Sequence, residues 1–142
     1  MATVSAPDHP LTEAEEQALV AAIGAAEQGH RGEIRVHLEP RYPGDGPVAR
    51  AAALFDALGM RKTAQDTGVL VYVAWRDQRA AVWAGAGVHD VAAPGLWQDT
   101  TDAVAAAGKA GRLAAGLCEV VAALGDTLRG LVPGADLSLI HI

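Results

Sequence analysis

Three carboxylates and two hydroxyls in this chain have the composition of a hard-cation site. Glu33 opens one strand-like segment, Asp66 stands in Thr63-Ala64-Gln65-Asp66-Thr67 just ahead of another, and Asp90 follows a third. An oxygen-only set of Glu33, Asp66, Asp90 and Thr63, with Thr67 beside it, suits Ca²⁺ or Mg²⁺ rather than zinc, because hard cations take carboxylate, hydroxyl and carbonyl oxygens. Arg61 or Lys62 is placed to hold a phosphate next to such a cation. The competing reading is local. Asp66-Thr67-Gly68 closes a loop through side-chain-to-backbone bonds, and Glu33 pairs with an arginine.

Other chemistries lack their residues. The serines are Ser5 and Ser138, both in terminal segments, so no Ser-His-Asp arrangement can be built with them. Cys118 is the single cysteine; it excludes an internal disulfide and reads as a small core residue in an apolar helical pattern. The five histidines are scattered, with none paired at zinc-ligand spacing. His37, beside Glu39 on the polar side of a strand, and His30, in a polar turn, both read as solvated surface. Gly85-Ala86-Gly87-Val88-His89-Asp90 opens like a dinucleotide loop, but Asp90 takes the place of the third glycine. The strand before it is expected to be antiparallel, the wrong context for that loop. The glycines are better explained by an irregular turn.

The elements that must position these groups follow from periodicity. Thr12 and Glu15 form a capping box at the head of a helix running to about Gln28, with Leu19, Ile23 and Ala26 at helical spacing and Gly29 as its stop. Residues 33–39 alternate strictly: Ile34, Val36 and Leu38 face one way and Glu33, Arg35, His37 and Glu39 the other. A Pro/Gly loop leads to a helix over 48–58 with Val48, Ala52 and Phe55 on its stripe. Residues 68–75 are nearly continuously apolar and predict a central strand buried on both faces. Asp77-Gln78 then turns into a strand over 79–85. Two helices complete the chain, over 94–109 and 112–131, the second with Leu113, Leu117, Val120, Leu124, Leu128 and Leu131 on one stripe.

The first two strands, joined by a helix, must run parallel with a right-handed crossover, and the third must return antiparallel. Two strand starts and one strand end then share an edge of the sheet, which is why Glu33, Asp66 and Asp90 are expected together. The fold class is α/β, a three-layer α/β/α sandwich with a small mixed sheet. Residues 1–11 are expected to be a flexible arm, 12–133 one domain, and 134–142 a tail. Leu137-Ser138-Leu139-Ile140-His141-Ile142 matches the in-frame translation of a transposon-end sequencing adapter, so this tail is expected to be non-native and to carry no function.

The 142 residues are 51% apolar and 20% charged, the balance of a globular domain, and the formal net charge is −6. Arg31, Arg35, Arg61, Lys62, Arg76 and Arg79 are dispersed, which argues against a nucleic-acid partner. No apolar run reaches the roughly 20 residues of a membrane span, and no signal segment opens the chain, so the expected place is the cytoplasm, without membrane insertion.

Taken in order, Gly32-Glu33-Ile34-Arg35-Val36, Ala53-Leu54-Phe55-Asp56-Ala57-Leu58-Gly59-Met60 with Thr63, Asp66-Thr67-Gly68-Val69-Leu70-Val71-Tyr72-Val73-Ala74, and Gly85-Ala86-Gly87-Val88-His89 with Trp97 resemble the TPM domain family. The resemblance extends over about residues 12–133 and is closest to the short, anchorless bacterial form. It implies an α/β/α sandwich, divalent-cation binding as in some members, and an acid-phosphatase assignment as for plant thylakoid relatives that act in photosystem repair. Other relatives are accessory partners of membrane proteins. Thr67 stands where many relatives carry Asn, and the transmembrane tail of the longer relatives is missing. Three functions stay open: a cation-binding domain, a metal-dependent phosphatase, and a structural accessory domain with a protein partner.

Overall fold

The computed structural model describes residues 4–5, 10–62 and 65–134. The first helix, α1 (Glu13–Ala26), begins on the expected capping box. The Thr12 hydroxyl accepts from the Glu15 amide, and the Glu15 carboxylate accepts from the Thr12 amide. It stops at Ala26, short of Gln28, with Glu27 as its C-cap and Gly29 in the left-handed region at φ 80°; the Glu27 carboxylate accepts from the Ile34 amide at 2.8 Å. Strand β2 (Glu33–Glu39), helix α2 (Pro47–Ala57), strand β3 (Gly68–Ala74) and strand β4 (Arg79–Ala84) follow. Then come a single turn, α3 (Ala86–His89), and the long helices α4 (Leu96–Lys109) and α5 (Leu113–Leu131). The arm expected over 1–11 contains a short edge strand, β1 (Val4–Ser5), paired parallel to β2 at Val36 and His37.

The sheet order is β1-β2-β3-β4, with β2 and β3 parallel and β3 and β4 antiparallel. The α/β/α sandwich is therefore present. On one face α1, α4 and α5 cover Ile34, Val36 and Leu38 of β2 and Val69, Val71 and Val73 of β3. On the other, α2 and Met60 cover Leu70, Tyr72 and Ala74. Every residue of β3 is buried, as its unbroken apolar run requires. The close contact of α1 with α5 depends on Gly125, where a Cβ would lie 2.7 Å from the Ala26 carbonyl oxygen.

Two histidines depart from their expected surface positions. His30 is 2% exposed. Its Nδ1 accepts from the Gly32 amide at 2.9 Å, so Nε2 carries the hydrogen donated to the Ala26 carbonyl at 2.6 Å. His37 is also largely covered, with its ring stacked at 16° on Tyr72. The α2 stripe is rotated too: Pro47, Ala51, Leu54 and Phe55 point inward while Val48 is 58% exposed. Periodicity alone could not choose between two stripes so rich in alanine. The tail residues 137–142 lie outside the described residues.

Candidate functional site

Antiparallel pairing of β3 with β4 brings the segment before β3 against the turn after β4. Asp66 sits there in the left-handed region, at φ 54°. Its Oδ2 accepts from the Ala86 amide at 3.0 Å and its carbonyl from the Gly87 amide at 2.9 Å. Gly85 makes this possible: a Cβ there would lie 2.4 Å from Asp66 Oδ1 and 2.3 Å from the Asp66 carbonyl oxygen. The other carboxylate oxygen, Asp66 Oδ1, is buried without a hydrogen-bond partner among the described residues. Gly87 packs equally tightly on the Gln65 carbonyl. Gly85-Ala86-Gly87 is thus a cradle for the loop preceding β3 rather than a phosphate loop.

The cradle forms one wall of a cavity of about 430 Å³. Val48 and Phe55 of α2, Val82 and Trp83 of β4, and Trp97 of α4 supply its apolar walls; Arg61, Asp66, His89 and Asp90 supply the polar ones. Trp97 Nε1 is buried without a hydrogen-bond partner among the described residues. Arg61 donates to Asp56 at 2.8 Å. Asp90 is 75% exposed, with its carboxylate 3.6 Å from His89 Nδ1.

Of the residues expected to form the site, Asp66 and Asp90 line this one cavity and Glu33 does not. Glu33 is paired in register with Gly68, whose carbonyl on its other side accepts from Gly85. Glu33 and the cradle are thus two strand spacings apart, roughly 10 Å. Its carboxylate lies 3.6 Å from the Arg35 guanidinium. The Glu33 amide donates to the Thr67 carbonyl at 3.2 Å, one residue from Asp66, while its side chain does not line the cavity. Thr63 lies outside the described residues. Thr67 is buried and donates its hydroxyl to the Arg31 carbonyl at 3.0 Å, a bond that fixes the loop. Among the described residues, no three His, Cys, Asp or Glu side chains form a metal-holding group.

A second polar cluster lies on the α2 face of the sheet. Arg50 donates twice to Glu39, at 2.9 and 3.1 Å, and the Tyr72 hydroxyl donates to the same carboxylate. Burial alone would raise the Glu39 carboxyl; the bonds from Arg50 and Tyr72 outweigh it and hold it below the usual carboxylate range. Burial pushes the Tyr72 hydroxyl up, and the adjoining Glu39 charge adds to the shift. Burial also lowers His37, against the opposing pull of Glu39. One signal for this cluster was available in the sequence: a tyrosine inside a fully buried strand needs a partner for its hydroxyl.

A sheet with three helices on one face and one on the other, and a cavity at its cradle end, defines the class of α/β/α sandwich domains. Within that class the chain belongs to the TPM domain family, whose profile matches residues 4–127. It is similar to the solution structure of BA42 from the psychrophilic bacterium Bizionia argentinensis, with a TM-score of 0.80 and 35% identity over 89% of this chain and 87% of that one. The N-terminal domain of a protein from P. gingivalis shares the fold at a TM-score of 0.77 and 20% identity, over 92% of this chain and 84% of that one. The N-terminal domain of cg2496 from Corynebacterium glutamicum does so at 0.71 and 13%, over 89% and 79%. No curated protein matches the chain. No helix among the described residues is long and apolar enough to cross a membrane.

Proposed function

We propose that this TPM domain binds a divalent cation, Ca²⁺ or Mg²⁺, through Asp66 and Asp90 at the cradle edge. The observation that carries the reading is the state of Asp66. One carboxylate oxygen is tied to the Ala86 amide, while the other is buried with no donor among the described residues. A buried acceptor left unsatisfied costs about 1–3 kcal/mol, and more when charged, which a bound cation would offset. The neighbouring carbonyls of Gln65 and Asp66 are further hard donors of the kind Ca²⁺ takes. Calorimetric titration with CaCl₂ and MgCl₂ tests the reading. Heat of binding that is lost in Asp66→Asn and unchanged in Glu33→Gln is the expected result; Asn tolerates the left-handed backbone, so this variant should fold. Thr63→Ala asks whether the expected hydroxyl takes part. A wild-type protein with no cation heat ends the proposal.

A second reading, hydrolysis of a phosphate ester at the same cation, has Arg61 and His89 on the cavity wall in its favour. A guanidinium suits phosphate oxygens, and an imidazole suits proton transfer to a leaving group. Turnover of p-nitrophenyl phosphate that depends on both Asp66 and the added cation would support it. Cation binding without turnover would leave the binding function alone.

A further inference from the structure

The free edge of β4 has the features of a strand-docking site. β4 is last in the sheet, and the Gly85 amide donates to Gly68. That bond sets the phase of the antiparallel ladder. Pairs 70/83, 72/81 and 74/79 exchange hydrogen bonds, so Ala80, Val82 and Ala84 turn their N–H and C=O groups away from β3. Sheet edges are commonly blunted by lysine, proline or a bulge. β4 is Arg79-Ala80-Ala81-Val82-Trp83-Ala84, with one charge at its far end and neither lysine nor proline.

Space lies beside this edge where an added strand would need it. The cavity of about 430 Å³ opens along Val82, Trp83 and Ala84 and reaches both faces of the sheet, towards Val48 on one and Trp97 on the other. Alternate side chains of an added strand would fall into these two halves, as the period of a strand requires. Charge selects the end. Asp66 and Asp90 stand where β4 finishes, while the one described guanidinium there, Arg61, is already bonded to Asp56. The chain as a whole carries a formal charge of −6. α2 and α4 both pack on β4. A second copy would bring two more helices to the edge, and a lone extended segment brings none.

We propose that the outer edge of β4 binds an extended segment of a partner protein as an antiparallel fifth strand, apolar or small at alternate positions and cationic where it passes Asp66 and Asp90. The main chain supplies the bonds and the two cavity halves the selection, the general logic of strand addition. A bound cation would compete with the segment's cationic residue for Asp66 and Asp90, so the test is run in EDTA and the two readings can fail separately.

The probe is the peptide Lys-Val-Thr-Val-Thr-Gly, whose cationic end meets the Ala84 end of β4 in antiparallel pairing. Titrated into ¹⁵N-labelled protein, it is expected to shift the Ala80, Val82 and Ala84 amides and slow their hydrogen exchange. Replacing its lysine by glutamate should weaken binding at least tenfold, and proline at its central valine should abolish it. Val82→Pro removes an outward N–H at an edge position where proline is tolerated, and should also abolish binding. Should that variant not fold, the two altered peptides decide the matter on wild-type protein. Amides unmoved at millimolar peptide overturn the proposal, as does equal binding of the proline peptide. A dimer that itself protects Val82 overturns it in favour of a second copy.

Discussion

The two faces of the sheet are built from the same strands and solve different problems. On the face of α1, α4 and α5, Ile34, Val36 and Leu38 meet Leu117, Val121 and Leu124, and no charge is needed. On the opposite face, α2 packs on β3 and β4, and the β2 residues opposite Ile34, Val36 and Leu38 are Glu33, Arg35, His37 and Glu39. There the polar groups satisfy one another: Glu39 collects Arg50 and Tyr72, and His37 stacks on Tyr72. Three helices pack on one face and bury the larger apolar cluster, so stability concentrates there. A single 11-residue helix covers the other, where the Glu39 cluster lies.

The largest effect should come from breaking the dry face. Leu117 is fully buried, and Leu117→Ala should destabilise by about 2–5 kcal/mol in chemical denaturation, the usual range for a truncated core leucine. A loss below 1 kcal/mol would mean that this face is not the main core.

The polar face should respond less, and in a coupled way. Tyr72→Phe and Glu39→Gln should each cost about 1–3 kcal/mol, the range for a buried polar group left without its partner. The double variant should cost clearly less than their sum, because both act on one shared bond: phenylalanine removes its donor and glutamine replaces its charged acceptor by a neutral one. Strict additivity would show that the hydroxyl and carboxylate do not interact.

Acid should weaken the polar face in two stages. His37 is a base held below its ordinary value of 6.5, so the unfolded chain binds its proton first. Its contribution is complete above that value and fades as pH falls through it. Glu39 is an acid held below its ordinary value of 4.5, so its contribution persists to lower pH and fades below the carboxylate range. Thermal melts between pH 8 and 3 should show both losses. His37→Phe should remove the first and Glu39→Gln the second.

The smallest effect serves as a control on the orientation of α2. Val48→Ser should change stability by less than about 0.5 kcal/mol, as exposed positions generally do. A larger loss would restore the stripe through Val48 and Ala52 that periodicity favoured.

The sequence was most legible where a single local rule applied. The capping box at Thr12 and Glu15 and the alternation over 33–39 appear at the expected residues, because short-range bonding and a period of two leave little choice. The run through Val69–Ala74 could bury both faces only as a central strand. Connection rules then gave the parallel and antiparallel pairs. Asp66 and Asp90 were placed together by the same reasoning, since strand direction determines which ends meet.

What tertiary structure alone decided was lateral position and cover. Direction put Glu33 at the right end of the sheet, beside the loop that holds Asp66, but its carboxylate lies by Arg35 and does not line the cavity. His30 and His37 read as surface because their neighbours in sequence are polar. They are covered by elements distant in sequence or by cross-strand stacking, and their polar atoms are satisfied by partners that no local pattern specifies. Periodicity reports which side of an element is apolar; how much of the other side is covered depends on how far the neighbouring helix reaches.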